Sequence, residues 1–165
     1  MVTTDPAYSE FVLSQQSRLR RAARLMCGDP DLAEDLLQEA LVALAEKWES
    51  VTHPEAFVRT VIYRQRISWW RRSRHEVVSD PVPERVVGDG AEARARDAEV
   101  HAVLRSLPPR QRAALVLRYF EDLTEAQTAE VMGVAVGTVK SLCHQAVARM
   151  RSELVAPQTV GRDEE

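Results

Sequence analysis

The sequence predicts an all-α fold in which two helical domains are joined by a flexible linker. Three observations carry that reading. Apolar residues recur at helical spacing through nearly every segment, and no stretch shows the alternation of a strand. Proline, glycine and capping residues fall where such helices would start and stop. A central stretch, residues 79–97, holds Pro81, Pro83, Gly88 and Gly90 without a sustained apolar period, as a linker does.

Each element follows in order. Residues 11–26 are amphipathic and stop at Gly28, which suits a helix C-terminus. Asp29-Pro30 reads as an N-cap with proline in the first turn, opening a helix that runs to about Trp48. Residues 51–54 break the chain, and a further helix runs from Pro54 to about Arg74. The second helical block begins near Ala98. In it, Leu107-Pro108-Pro109 separates a short helix from one spanning residues 110–121. Residues 122–124 form the next break, 125–132 a short helix, Gly133 a turn and 136–153 the last helix. The expected organisation is residues 1–78 as the first domain, 79–97 as the linker, 98–155 as the second domain and 156–165 as a polar tail.

At 165 residues the chain has room for one domain or two small ones, and 45% hydrophobic residues is the content of a folded protein. No apolar run approaches the ~20 residues needed to span a bilayer. The first ten residues are polar and acidic, unlike a secretory signal, so the cytoplasm is the expected location. The net charge of −3 hides a strong polarity. Residues 29–55 contain eight acids and one base, Lys47, whereas residues 56–75 contain six arginines and no acid. Such a chain can offer one face to a basic partner and another to phosphates. Cys27 and Cys143 form no C-x-x-C pair and sit at apolar helical positions, so both read as buried thiols. Neither a metal site nor a catalytic residue is expected. There is no phosphate-cradling glycine loop, no nucleophile motif and no cluster of metal ligands.

Three helices carry candidate function. On residues 31–48, Leu32, Ala33, Leu36, Leu37, Ala40, Leu44 and Trp48 share a core face, while Asp31, Asp35, Gln38, Glu39 and Glu46 share the opposite arc. That acidic arc fits either a solvated surface or a docking surface for a basic partner. On residues 54–74, Phe57, Val58, Val61, Ile62 and Trp69 are expected to pack inward. Arg59, Tyr63, Arg66 and Trp70 form another stripe, with Arg64, Arg71, Arg72 and Arg74 adding charge. Arginines bind phosphates and aromatic rings stack on unpaired bases, so the stripe fits single-strand binding. Tyr63 and Trp70 fit a core position equally well. Residues 123–150 read as a helix-turn-helix around Gly133, or as a plain helical hairpin. In its second helix Val139, Cys143, Ala146 and Met150 share one face with Leu142 and Val147 beside it, leaving Gly137, Lys140, Ser141, His144, Gln145, Ala148 and Arg151 outward. That outward set suits a recognition helix.

With these residues in view, the chain resembles the extracytoplasmic-function (ECF) sigma factors, minimal members of the sigma-70 family, in collinear order over nearly all of residues 8–153. Asp31-Leu-Ala-Glu-Asp-Leu-Leu-Gln-Glu39 resembles the family's region 2.2, which docks on the clamp helices of the polymerase β′ subunit. Pro54-Glu-Ala-Phe-Val-Arg59 through Ser68-Trp-Trp-Arg-Arg72 resembles regions 2.3 and 2.4, which open and read the −10 element. Leu107-Pro-Pro-Arg-Gln-Arg112 through Tyr119 resembles region 4.1. Leu123-Thr-Glu-Ala-Gln-Thr-Ala129, Met132-Gly133 and Val136-Gly-Thr-Val-Lys-Ser141 resemble region 4.2, which reads the −35 element and contacts the β flap. The Ser-Trp-Trp-Arg-Arg run is similar to the sigma-E-like branch common in actinobacteria.

The resemblance implies an alternative sigma factor with no catalysis and no cofactor of its own, whose partners are core RNA polymerase and promoter DNA. It implies core binding by Asp31, Asp35, Gln38 and Glu39. It implies −10 binding and melting by Arg59, Tyr63, Arg64, Arg66, Trp70, Arg71 and Arg72, and −35 binding by Thr138, Lys140, Ser141, His144, Gln145, Arg149 and Arg151. Many ECF sigma factors are held by an anti-sigma factor, so the resemblance admits that partner as well. In the linker, Glu84, Asp89, Glu92 and Asp97 would mimic nucleic-acid charge near the polymerase cleft. Three positions depart from the family's frequent residues: Arg64 stands where asparagine is common, and Leu142 and Gln145 where arginine is. A stand-alone helix-turn-helix regulator is the competing reading, and it leaves the acidic helix unexplained.

Overall fold

A computed structural model describes residues 5–73 and 91–155, with the side chains of 5–72 and 98–153. Among the described residues there is no strand, and helices follow one another as α1 (Pro6–Cys27), α2 (Pro30–Glu46), α3 (Pro54–Ser73), α4 (Ala91–Arg105), α5 (Pro109–Leu115), α6 (Glu125–Met132) and α7 (Val136–Val155).

Helix α1 starts earlier than its apolar period suggests, because the Asp5 carboxylate accepts from the Ala7 N–H at 2.8 Å and Pro6 takes the first helical position. It stops at Gly28, whose φ of 72° is left-handed. Asp29 at once caps α2, accepting from the N–H groups of Asp31 (2.9 Å) and Leu32 (3.4 Å). The chain then tightens into a 3-10 turn at Trp48–Ser50, with Trp48 packed against Tyr8 (ring centroids 5.4 Å apart) and Phe11 (5.8 Å). Leu19, Met26, Leu37, Leu44, Val58 and Ile62 interlock α1, α2 and α3 into the first lobe.

Helix α4 departs from expectation. Residues 91–97, read as linker, are helical, since the run Ala91-Glu-Ala-Arg-Ala-Arg is built of strong helix formers. Residues 79–90 and 156–165, and the side chains of Glu84, Asp89, Glu92 and Asp97, lie outside the described residues. The single helix expected over residues 110–121 is also divided. Regular α5 ends at Leu115, and Val116–Phe120 widens into a π turn in which the Glu121 N–H donates to the Val116 carbonyl at 3.0 Å. Asp122 follows at φ 53°, a left-handed conformation that aspartate tolerates, and Arg118 donates to the Leu123 carbonyl, closing the turn.

The second lobe is α5, α6 and α7 around Leu117, Met132, Val139 and Ala146. It packs directly on the first: α3 meets α5 and α6, and α1 meets α5 and the π turn. The buried apolar residues of both lobes form one continuous core.

Candidate nucleic-acid and partner interfaces

The periodicity of α2 translates into burial. Ala33, Leu36, Leu37, Ala40 and Leu44 are buried, whereas Asp31, Asp35, Gln38 and Glu39 are all exposed. Glu34, on the edge of the arc, pairs with Arg20 at 2.8 Å, and that guanidinium's hydrogen bond holds its carboxyl below the ordinary range. The structure therefore presents Asp31, Asp35, Gln38 and Glu39 together on one solvent-facing side of a helix anchored from behind.

Helix α3 divides its residues differently from expectation. Arg64, Arg71 and Arg72 are exposed and Trp70 is half-buried. Arg59, Tyr63 and Arg66 are buried, at 5%, 5% and 9% exposure. Trp69, expected in the core, is 41% exposed and carries the Arg66 guanidinium 5.2 Å from its ring centroid. The reason is the second lobe. Helix α3 packs on α5 and α6, where Arg59 meets Glu121 and Arg66 lies near Arg112, so these two arginines face the second lobe rather than solvent. Read as a free helix, the stripe is a basic surface; in the folded chain it is an interface.

At that interface the Arg59 Nε donates to the Glu121 carboxylate at 2.6 Å, with both side chains nearly sealed from water, while its Nη2 donates to the half-exposed Glu55 at 3.1 Å. A second basic group has no such match. Arg66 of α3 and Arg112 of α5 lie close enough to repel, beside the Cys27 thiol at the end of α1. Arg112 is 3% exposed, and its Nε and Nη2, like Nε and Nη1 of Arg66, are buried without a hydrogen-bond partner. Burial, then Arg66, pull Arg112 well below the ordinary arginine range, to about 10. Burial likewise lowers Arg66, and it pushes the Cys27 thiol up to about 11. The fit is tight: a Cβ at Gly28 would stand 2.7 Å from the Arg112 Nη1.

Helices α6 and α7 meet with a 99° change of direction, within the helix-turn-helix range. A capping box starts α6: the Gln127 N–H donates to the Thr124 Oγ1 (3.1 Å) and the Thr124 N–H to the Gln127 Oε1 (2.9 Å). Gly133, at φ 65°, makes the turn. On α7, Val139 and Ala146 are buried and Leu142, Cys143, Val147 and Met150 half-buried. Lys140, Ser141, His144, Gln145, Arg149 and Arg151 are exposed and Thr138 is half-buried, so this whole predicted set shares an accessible helix. Two of its cations have acidic neighbours, Lys140 with Glu125 at 3.6 Å and Arg149 with Glu153 at 3.9 Å.

Sequence reasoning missed Glu121 and Arg112. Reading each lobe alone gave no reason to single them out, since Glu121 meets Arg59 and Arg112 meets Arg66 only across the junction. Among the described residues, no group of three or more His, Cys, Asp or Glu side chains is placed to hold a metal, and no single helix is long and apolar enough to cross a membrane.

Comparison with known proteins fits this geometry. Residues 11–76 match the family described as Sigma-70 region 2, and residues 97–150 the family described as Sigma-70, region 4. The chain is 40% identical to the RNA polymerase sigma-E factor of Streptomyces coelicolor over 153 residues, 90% of this chain and 86% of that one. It is 34% identical to the ECF RNA polymerase sigma factor ShbA of Streptomyces griseus, over 89% of this chain and 81% of that one. Among solved structures, the co-crystal of the sigma factor RpoE with the anti-sigma factor NepR from Bartonella quintana superposes with a TM-score of 0.72 at 23% identity, over 93% of this chain and 100% of that one, a likeness of fold. The chain belongs to the sigma-70 family, as an RNA polymerase sigma factor of the extracytoplasmic-function type that directs transcription initiation.

Proposed function

We propose that this chain is an alternative sigma factor that docks on core RNA polymerase through α2, opens and reads a −10 element with α3, and reads a −35 element with α7. The observation that carries the docking assignment is the solvent-facing set Asp31, Asp35, Gln38 and Glu39, whose aligned negative charge suits a basic partner surface, the polymerase β′ clamp helices. On α3, Arg64, Trp70, Arg71 and Arg72 are positioned to meet DNA first, and Arg59, Tyr63 and Arg66 join them when the second lobe moves away. On α7, Thr138, Lys140, Ser141, His144, Gln145, Arg149 and Arg151 form the −35 reader, with neutral Leu142 and Gln145 leaving few cations for phosphates. The second lobe also contacts the β flap. The chain contributes no catalysis and works in the cytoplasm, and an anti-sigma factor is a further partner.

The test is core binding. Labelled chain carrying Asp35→Lys and Glu39→Lys is titrated with core polymerase beside the parent. Exposed charges of this kind govern encounter and orientation, so the double reversal is expected to weaken binding by roughly ten-fold or more. Equal affinity would remove the α2 assignment.

A further inference from the structure

The lobe junction holds a charge arrangement that polymerase docking on α2 and −35 reading by α7 leave unused. Glu121 stands between the π turn at Val116–Phe120 and the left-handed Asp122, and from there it reaches Arg59 of α3. The carboxylate takes the guanidinium edge at 2.6 Å in a site closed to water, as a phosphate oxygen would take it. Beside it, Arg66 and Arg112 bring two positive charges together with buried nitrogens left unbonded, and Asp29 is the acidic neighbour on the Arg66 side. One contact of the junction is a close ion pair, and the next sets two guanidiniums near each other.

We infer that the packed lobes are a self-inhibited state, in which Glu121 acts as an internal stand-in for a DNA phosphate on Arg59. While the lobes are closed, Arg59, Tyr63 and Arg66 are withheld from single-stranded DNA. The mutual repulsion of Arg66 and Arg112 and their buried, unbonded nitrogens oppose closure, so the state is held chiefly by the Arg59–Glu121 pair and by apolar contact. Opening hands Arg59 and Arg66 to phosphates and frees Arg112 to solvent. This rests on the reading of α3 as the −10 surface, while closure itself can be measured without DNA.

Cys27 supplies the probe, since it is 5% exposed and lies beside Arg66 and Arg112. In a Cys143→Ser background, the rate of Cys27 reaction with a maleimide near neutral pH reports lobe opening, and anisotropy reports binding of a short single-stranded DNA. Glu121→Gln leaves Arg59 short of a buried counter-charge and is expected to raise both the labelling rate and the DNA affinity by about ten-fold or more. Arg112→Met is expected to slow labelling. Circular dichroism of each variant separates opening from unfolding, and the swap Arg59→Glu with Glu121→Arg is expected to restore slow labelling. If Glu121→Gln is folded and labels at the parental rate, or if Arg112→Met labels faster, the latch is overturned. Faster labelling with unchanged DNA binding overturns the competition with DNA. Loss of core binding by the parent chain would instead strike the proposed function and leave the labelling result standing.

Discussion

Replacing Arg112 by methionine is expected to stabilise this protein, although it removes a charge from a polar-looking loop-helix motif. The guanidinium is 3% exposed, and two of its nitrogens have no acceptor. Burial and the neighbouring Arg66 hold its pKa down at about 10, a penalty on the order of 3 kcal/mol against holding the charge there. Methionine keeps an unbranched apolar stem of similar reach. It loses the favourable position of a cation at the C-terminus of α1, about 0.3–1 kcal/mol. The balance is a gain of about 2 kcal/mol, which for a chain of this length raises Tm by roughly 4–8 °C. The assay is thermal unfolding followed by circular dichroism, with urea midpoints as a second measure. Arg112→Lys is expected to fall between the parent and Arg112→Met, because a buried lysine sheds its proton more readily. A Tm lowered by Arg112→Met would refute the reasoning, by showing that the guanidinium is matched in solution.

Other outcomes follow from the same geometry. Lys140→Ala with Arg149→Ala removes two exposed cations from α7 and is expected to lower the slope of log K against log salt for duplex DNA by about 2; an unchanged slope would move phosphate binding off this helix. Gly133→Ala is expected to cost only the left-handed backbone, about 1 kcal/mol, since nothing stands within 4 Å of a new Cβ. Gly28→Ala meets Arg112 at 2.7 Å and is expected to cost roughly 3 kcal/mol in urea unfolding; equal losses at the two glycines would contradict the close approach. The Cys27 thiol is raised from 9.0 to about 11 in the folded chain. The neutral thiol's contribution is therefore complete below pH 9 and is lost as pH rises toward 11. Tyr8, raised by burial, adds to the fall as pH approaches 10, while Arg112, lowered to about 10, partly offsets it. Stability is thus expected to fall by about 1 kcal/mol between pH 9 and 10, and Cys27→Ala to abolish most of that fall.

Much of the fold was legible because helix signals are local. Asp29-Pro30, Gly28, Gly133 and the Pro108-Pro109 break each act within one turn of chain, and apolar spacing alone placed the core faces of α2 and α7. The π turn was not legible, because nothing in the local apolar spacing marks a helix widened by one residue, and the contact beside it, Glu121 on Arg59, is distant in sequence. The burial pattern of α3 was not legible for a similar reason. Its stripe of Arg59, Tyr63 and Arg66 has the composition of a nucleic-acid surface, but in the folded chain these side chains are buried and Trp69, expected inside, is exposed. Residues 91–97 were taken as linker on the strength of neighbouring glycines and prolines, although their own propensity is helical. The acidic face of α2 was visible at once, since nothing among the described residues covers it.

Run-off transcription with core RNA polymerase tests the central claim most directly. Core alone and core with this chain are compared on genomic DNA fragments and on a fragment carrying a sigma-E-type promoter. The expected result is transcripts with defined starts that appear only when the chain is added, and that weaken with Asp35→Lys and Glu39→Lys. Absence of any chain-dependent transcript, together with no binding to core, would contradict it.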